Sequence, residues 1–195
     1  MTETVMLTSN ALDDRVPGCV GRALPGVQVR LGDGGAVEVS GPNVFGGYWQ
    51  MPEKTQEEFT PDGFFRTGDM GRFDADGYLA IIGRDKDLII SGGLNVYPKE
   101  IEEAIDALPG VAESAVIGLP HPDFGEAVTA VVVRGKDASG LTAEGIIAVL
   151  KGQIAGFKVP KVVHFVDDLP RNAMGKVQKN RLRERFGGAG ESQPP

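Results

Sequence analysis

The sequence predicts an α+β fold, with a β-rich, barrel-like part over residues 1–85 and a small α+β part over residues 86–186. Three observations lead there. The first half holds short runs of alternating polarity separated by dense glycine and proline, the pattern of small antiparallel strands between tight turns. The texture then changes at Arg84-Asp-Lys-Asp87. Beyond that point, segments of helical period alternate with short apolar runs rich in valine and isoleucine.

The first part contains three strand candidates: Val27–Leu31, Ala36–Ser40 and Tyr78–Ile82. Asp74-Ala-Asp-Gly77 reads as a turn, because aspartate caps local backbone amides and glycine takes positive φ without strain. In the second part, Pro98 suits a first helical position. Ile101, Ala104, Ile105 and Leu108 then share one face, and Pro109-Gly110 stops the helix. Ser114–Gly118, Ala127–Val133 and Lys161–Val166 read as strands. Thr142 suits the N-cap of a second helix bearing Ile146, Ile147, Leu150 and Ile154. A short basic helix is expected over Lys179–Phe186, and residues 187–195, small, polar and proline-ended, are expected to be a disordered tail.

Composition excludes several functions. The 195 residues carry a net charge of −7, which disfavours nucleic acid as a partner. No apolar run approaches the roughly 20 residues of a membrane span, and the first ten residues lack the pattern of a secretory signal. The single cysteine, Cys19, makes no internal disulfide, which fits a cytoplasmic setting. One cysteine with two distant histidines, His121 and His164, makes a zinc site improbable on ligand count.

Four segments could carry chemistry. In Phe65-Arg-Thr-Gly-Asp69, glycine beside aspartate presents a bent, accessible carboxylate able to accept from two vicinal hydroxyls; alone, the tripeptide is an ordinary turn. From Gly83 to Glu102 a charged cluster leads through an apolar stretch to a Gly92-Gly93 turn and a proline-started helix. Paired glycines admit a close backbone or ligand, and the plain alternative is a surface hairpin leading to a helix. In Pro170-Arg-Asn-Ala-Met-Gly-Lys176, a lysine after glycine in a loop of small and polar residues could stabilise developing negative charge. The P-loop pattern fails there, with Pro170 where its first glycine belongs and Val177 where its Ser or Thr belongs. At the start, Thr2-Glu3 sets a hydroxyl beside a carboxylate, a pair suited to a phosphate and its Mg²⁺. None of the four is specific by itself; their order and spacing are.

As a set they resemble the adenylate-forming superfamily of acyl-CoA synthetases, luciferases and peptide-synthetase adenylation domains, from Thr2 to about Arg183. Thr2-Glu3 is similar to the end of that superfamily's Tyr-Gly-x-Thr-Glu motif, and Gly46-Gly-Tyr-Trp49 with Thr55 and Phe59 to its next shared segment. The resemblance implies roles for single residues. Thr2 contacts a nucleotide phosphate and Glu3 helps hold Mg²⁺. Asp69 and Arg84 bind the ribose, and Lys86 is the hinge. Ser91, Gly92 and Gly93 line the pantetheine tunnel, and Lys176 is required for adenylation. Within the superfamily, Ser91–Glu100 and Leu169–Asn180 are most similar to malonyl-CoA synthetases, enzymes of fatty acid metabolism.

The resemblance further implies that residues 1–85 are the end of a large N-terminal domain and that 86–186 form a small, mobile C-terminal domain. The expected activity is AMP-forming acid–thiol ligation from ATP, CoA and a small carboxylic acid such as malonate. Because the phosphate loop and acid pocket of the superfamily are not found, the chain alone is expected to be inactive without the N-terminal part of the same enzyme. Two alternatives stay open: a ligase that loads a carrier protein, and a non-catalytic binding module. A lysine acetyltransferase acting at Lys176 is a further implied partner.

Overall fold

The computed structural model describes residues 1–187, and the tail expected from residue 188 onward lies outside the described residues. The chain forms two compact units, one ending at Lys86 and the next beginning at Asp87.

In the first unit, β1 (Thr8–Ser9) pairs with β2 (Arg22–Ala23) as a short antiparallel ribbon. The main element is an open antiparallel sheet in the order β3 (Gln28–Leu31), β4 (Ala36–Ser40), β5 (Phe65–Phe73) and β6 (Leu79–Arg84). The three expected strands correspond to β3, β4 and β6. Alternation explains its core: Val37, Val39, Phe65 and Leu79 are buried together, with Phe45 and Phe59 packed against them. The β5–β6 turn is the expected one, Asp74 Oδ1 accepting from the amides of Asp76 and Tyr78, with Gly77 at φ 81°.

The Thr-Gly-Asp segment departs from expectation. Instead of a turn between elements it lies inside β5, where Gly68 at φ 71° bends the strand and the pairing registers on both sides shift. The helix α1 (Pro52–Glu58) was not signalled by periodicity, because it buries no residue; its marks are proline in the first turn and the Lys54–Glu58 pair.

A single 3₁₀ turn, Asp85–Asp87, follows β6. The second unit opens with a hairpin, β7 (Ile89–Ser91) and β8 (Leu94–Val96), joined by Gly92 and Gly93. Then follow α2 (Pro98–Asp106), β9 (Val111–His121), β10 (Gly125–Arg134), α3 (Ala143–Lys151), β11 (Val162–Val166) and α4 (Lys179–Gly187). Gly187, expected in the tail, closes this last helix.

Strand β10 is the organiser. It pairs antiparallel with β9 along its whole length and parallel with β11 over Thr129–Val133. Because the same residues serve both partners, these lie on opposite edges. Both faces of β10 are covered. Val128, Ala130 and Val132 join Ile101 and Ile105 of α2 and Ile146 and Leu150 of α3. Val131 joins Leu169 and Leu182 of α4 on the other face. Burial on both sides accounts for its near-continuous apolar sequence. The N-cap of α3 is as expected, with the Thr142 hydroxyl accepting from the Gly145 amide at 3.1 Å. Glu102 ties three elements: its Oε1 accepts from Val116 N on β9 at 2.7 Å and pairs with Lys179 of α4 at 2.7 Å.

Candidate nucleotide and acyl-transfer site

The residues singled out in the sequence divide between the units. Thr2, Glu3, Asp69, Arg84 and Lys86 belong to the first; Ser91, Gly92, Gly93 and Lys176 belong to the second.

Asp69 and Arg84 are direct cross-strand partners of β5 and β6. Arg84 and Asp69 form an ion pair, with Nε 2.8 Å from Oδ1 and the aspartate side chain 23% exposed. The bend at Gly68 turns this carboxylate, and the Thr67 hydroxyl, itself buried, accepts from the Asp69 amide at 3.1 Å. The outcome is an anchored carboxylate with a free edge beside a guanidinium, an arrangement able to accept from a vicinal diol.

Glu3 sits on a tightly held turn. Thr4 is fully buried, and Val5 adopts φ 54°. The Tyr48 hydroxyl donates to Glu3 Oε1 at 3.2 Å. Burial, and next the Glu3 charge, raise the Tyr48 phenol above its usual value of 10. Thr2 beside it is exposed. No group of three or more His, Cys, Asp or Glu side chains that could hold a metal occurs among the described residues. A lone carboxylate nevertheless fits Mg²⁺, which takes one or two protein carboxylates and fills its remaining positions with phosphate oxygens and water. It does not fit a closed protein cage.

In the second unit, Gly92 and Gly93 have φ of 59° and 77°, the double positive φ of a two-residue hairpin turn that disfavours other residues. Ser91 is buried, and the Gly92 amide donates to the Phe124 carbonyl at 2.8 Å, so the glycine turn is fastened to the start of β10. Exposed Ile90, Leu94 and Phe124 flank it.

Lys176 stands on a braced loop. Arg171 and Val177 form a β-bridge across its base. The Asn172 side-chain oxygen accepts from the amides of Met174 and Lys176, each at 3.0 Å, and Gly175 turns at φ 78°. Arg171 donates to the Gly175 carbonyl at 2.7 Å and pairs with Glu113. Backbone bonds thus hold the loop while the lysine side chain is exposed. Lys86, at the unit boundary, is exposed in the 3₁₀ turn.

The contact that sequence reasoning missed is Tyr48 with Glu3, 45 residues apart. The only signal for it was the Gly46–Trp49 segment, noted without a role.

Residues 100–176 match the AMP-binding enzyme C-terminal domain. The chain belongs to the adenylate-forming enzymes, as part of their C-terminal region. Its relatives include an octahydro-indenyl-propanoyl:CoA ligase of Rhodococcus jostii (strain RHA1), 49% identical over 94% of this chain and 36% of the relative. The malonate–CoA ligase of Arabidopsis thaliana is 41% identical over 94% of this chain and 33% of its own length. Among solved structures, ATP-bound MatB from Rhodopseudomonas palustris is 61% identical with a TM-score of 0.89, covering 96% of this chain and 39% of that one. The chain therefore spans about a third of the length of the curated relatives it matches. Among the described residues, no helix is long and apolar enough to cross a membrane.

Proposed function

We propose that this chain works as the C-terminal part of a cytoplasmic, AMP-forming acid–CoA ligase whose acid is malonate or a similar small carboxylate. The observation that carries the proposal is the 61% identity to ATP-bound MatB over 96% of the chain. The anchored Asp69–Arg84 pair supports it, as does the exposed Lys176 on its rigid loop.

In the first half-reaction a carboxylate oxygen of the acid attacks the α-phosphorus of ATP. The bond to pyrophosphate breaks, and an acyl-adenylate forms. Asp69 accepts from the ribose hydroxyls and Arg84 holds it in place. Thr2 donates to a phosphate oxygen. Lys176 bridges the incoming carboxylate and the α-phosphate, where negative charge builds. Glu3 is the residue that would hold Mg²⁺, which when bound neutralises charge on the phosphate oxygens.

In the second half-reaction the CoA thiol loses its proton and attacks the acyl carbon. The bond to AMP breaks. Ser91, Gly92 and Gly93 line the path of the pantetheine arm, where bare glycine backbone leaves room for a narrow chain. The two units act as separate bodies about Lys86, presenting first Lys176 and then the glycine turn. A short turn between rigid units suits a hinge. The N-terminal part of such a ligase supplies the acid pocket and phosphate loop, so the chain alone is inactive. Acetylation of exposed Lys176 would remove its charge and silence adenylation.

The test is thioester formation by the full-length ligase carrying this chain, with ATP, Mg²⁺ and a panel of acids, offering CoA or a carrier protein. Malonate with CoA is the expected best pair. Activity with a carrier protein alone would overturn the choice of acceptor, and silence with malonate the choice of acid.

A further inference from the structure

The segment from Asn43 to Thr55 has no role in the chemistry above, yet it supplies the contacts that hold the turn bearing Thr2 and Glu3. Asn43 Nδ2 donates to the carbonyls of Thr4 and Met6, at 2.8 and 2.9 Å. These flank Val5, a β-branched residue at φ 54°, a conformation such residues seldom adopt unless their surroundings impose it. The Phe45 amide donates to the Glu3 carbonyl at 2.8 Å. The backbone from Glu3 to Met6 is therefore held by Asn43 and Phe45.

The Glu3 side chain is held by the next residues of the same segment. Tyr48 donates to Oε1, and nothing among the described residues bonds Oε2. Tyr48 is itself aimed. Its ring meets the Phe45 ring edge-on at 4.8 Å. Its amide donates to Thr55 Oγ1 at 2.9 Å, and that hydroxyl donates to the Met51 carbonyl at 2.9 Å. Thr55 also closes on Gly47: a Cβ there would lie 2.7 Å from Thr55 Cγ2, and Gly47 has φ 138°. The glycine before Tyr48 is thus required by the same packing that fixes the tyrosine.

We infer that Tyr48 and Asn43 are positioning residues for the Glu3 carboxylate. Tyr48 sets its direction through one oxygen and leaves the other for the cation of a magnesium–nucleotide, while Asn43 locks the turn beneath it. The inference rests on the proposed role of Glu3. A carboxylate on a long, rotatable side chain binds a hard cation more tightly when a fixed donor has already selected its rotamer.

The test uses the full-length ligase carrying this chain, as wild type, Tyr48→Phe, Asn43→Ala and Glu3→Gln. Calorimetry reads the affinity for ATP with Mg²⁺ and, separately, for AMP in EDTA. Tyr48→Phe removes one oxygen and keeps the ring, so it decides the matter. It should weaken binding of ATP with Mg²⁺ by about 3- to 10-fold, the effect of one lost hydrogen bond, and leave AMP affinity unchanged. Asn43→Ala should shift the same affinity in the same direction. If Tyr48→Phe weakens both nucleotides equally, its role is structural and the inference fails. If it weakens neither while Glu3→Gln weakens ATP with Mg²⁺, the inference fails and the proposed role of Glu3 stands. If Glu3→Gln is itself without effect, both fail.

Discussion

Asp69 and Arg84 show how a carboxylate and a guanidinium are brought together by two ordinary strands. Registration places them opposite one another, and a single glycine bend turns the aspartate out. Their ion pair is exposed enough to add little stability. Arg84→Lys should therefore leave the unfolding free energy within about 0.5 kcal/mol of wild type, while weakening AMP binding roughly tenfold through loss of the guanidinium geometry. Calorimetry with AMP checks both halves. His164 of β11 makes a different prediction. It stacks on Phe186 at 4.3 Å. Burial, and then the Arg185 charge, lower it below its usual 6.5. The folded state thus resists protonation that the unfolded chain accepts. This contribution to stability is present above pH 6.5 and is lost as pH falls through the folded value. Denaturant midpoints should drop between pH 7 and 5, and His164→Gln should flatten that slope. At this scale the local sequence offered Glu3, Asp69 and Lys176 as chemically able beside glycine or hydroxyl neighbours, while their roles, and that of Arg84, came from the resemblance carried by the order and spacing of the set. It could not mark Tyr48, whose partner lies 45 residues away and whose neighbours advertise only a turn.

Elements with a local physical cause were legible. Thr142 precedes an apolar-periodic run and does cap α3. Thr142→Ala should cost about 1 kcal/mol in urea denaturation, with Thr142→Ser restoring most of it. Paired glycines announced the β7–β8 hairpin, since a two-residue turn of this hand needs positive φ twice. Elements without such a cause were not legible. Helix α1 buries nothing, so it leaves no apolar stripe to detect. The ribbon β1–β2 spans two residues a side and depends on tertiary support. The Thr-Gly-Asp bend was legible as a bend but not as part of a strand, because glycine beside aspartate signals positive φ but does not say whether a strand continues through it. Glu102 belongs here too. Its carboxylate satisfies both Val116 N and Lys179, so Glu102→Ala should destabilise by about 2 kcal/mol, more than loss of an exposed pair. Glu102→Gln, which keeps the acceptor for the amide, should cost less.

Across the whole molecule, the second unit is organised by β10, a strand whose both faces and both edges are occupied. Its valine-rich sequence showed a buried strand, but not that β11 would join it in parallel through the α3 crossover, since pairing partners leave no local mark. Ile105, fully buried against it, should cost about 2–5 kcal/mol when cut to alanine. The change of texture near residue 84 lies close to where the compact units divide, and that division gives the proposed function its logic: nucleotide groups on one unit, the lysine and the glycine turn on the other. The central claim is that Lys176 serves one half-reaction only. It is tested most directly by assaying Lys176→Ala in the full-length ligase for both steps, pyrophosphate release with malonate and thioester formation from supplied malonyl-AMP. The account predicts adenylation reduced at least a hundredfold, about 3 kcal/mol of transition-state stabilisation, with thioester formation intact. Normal adenylation by this variant would contradict it and leave Lys176 a surface lysine.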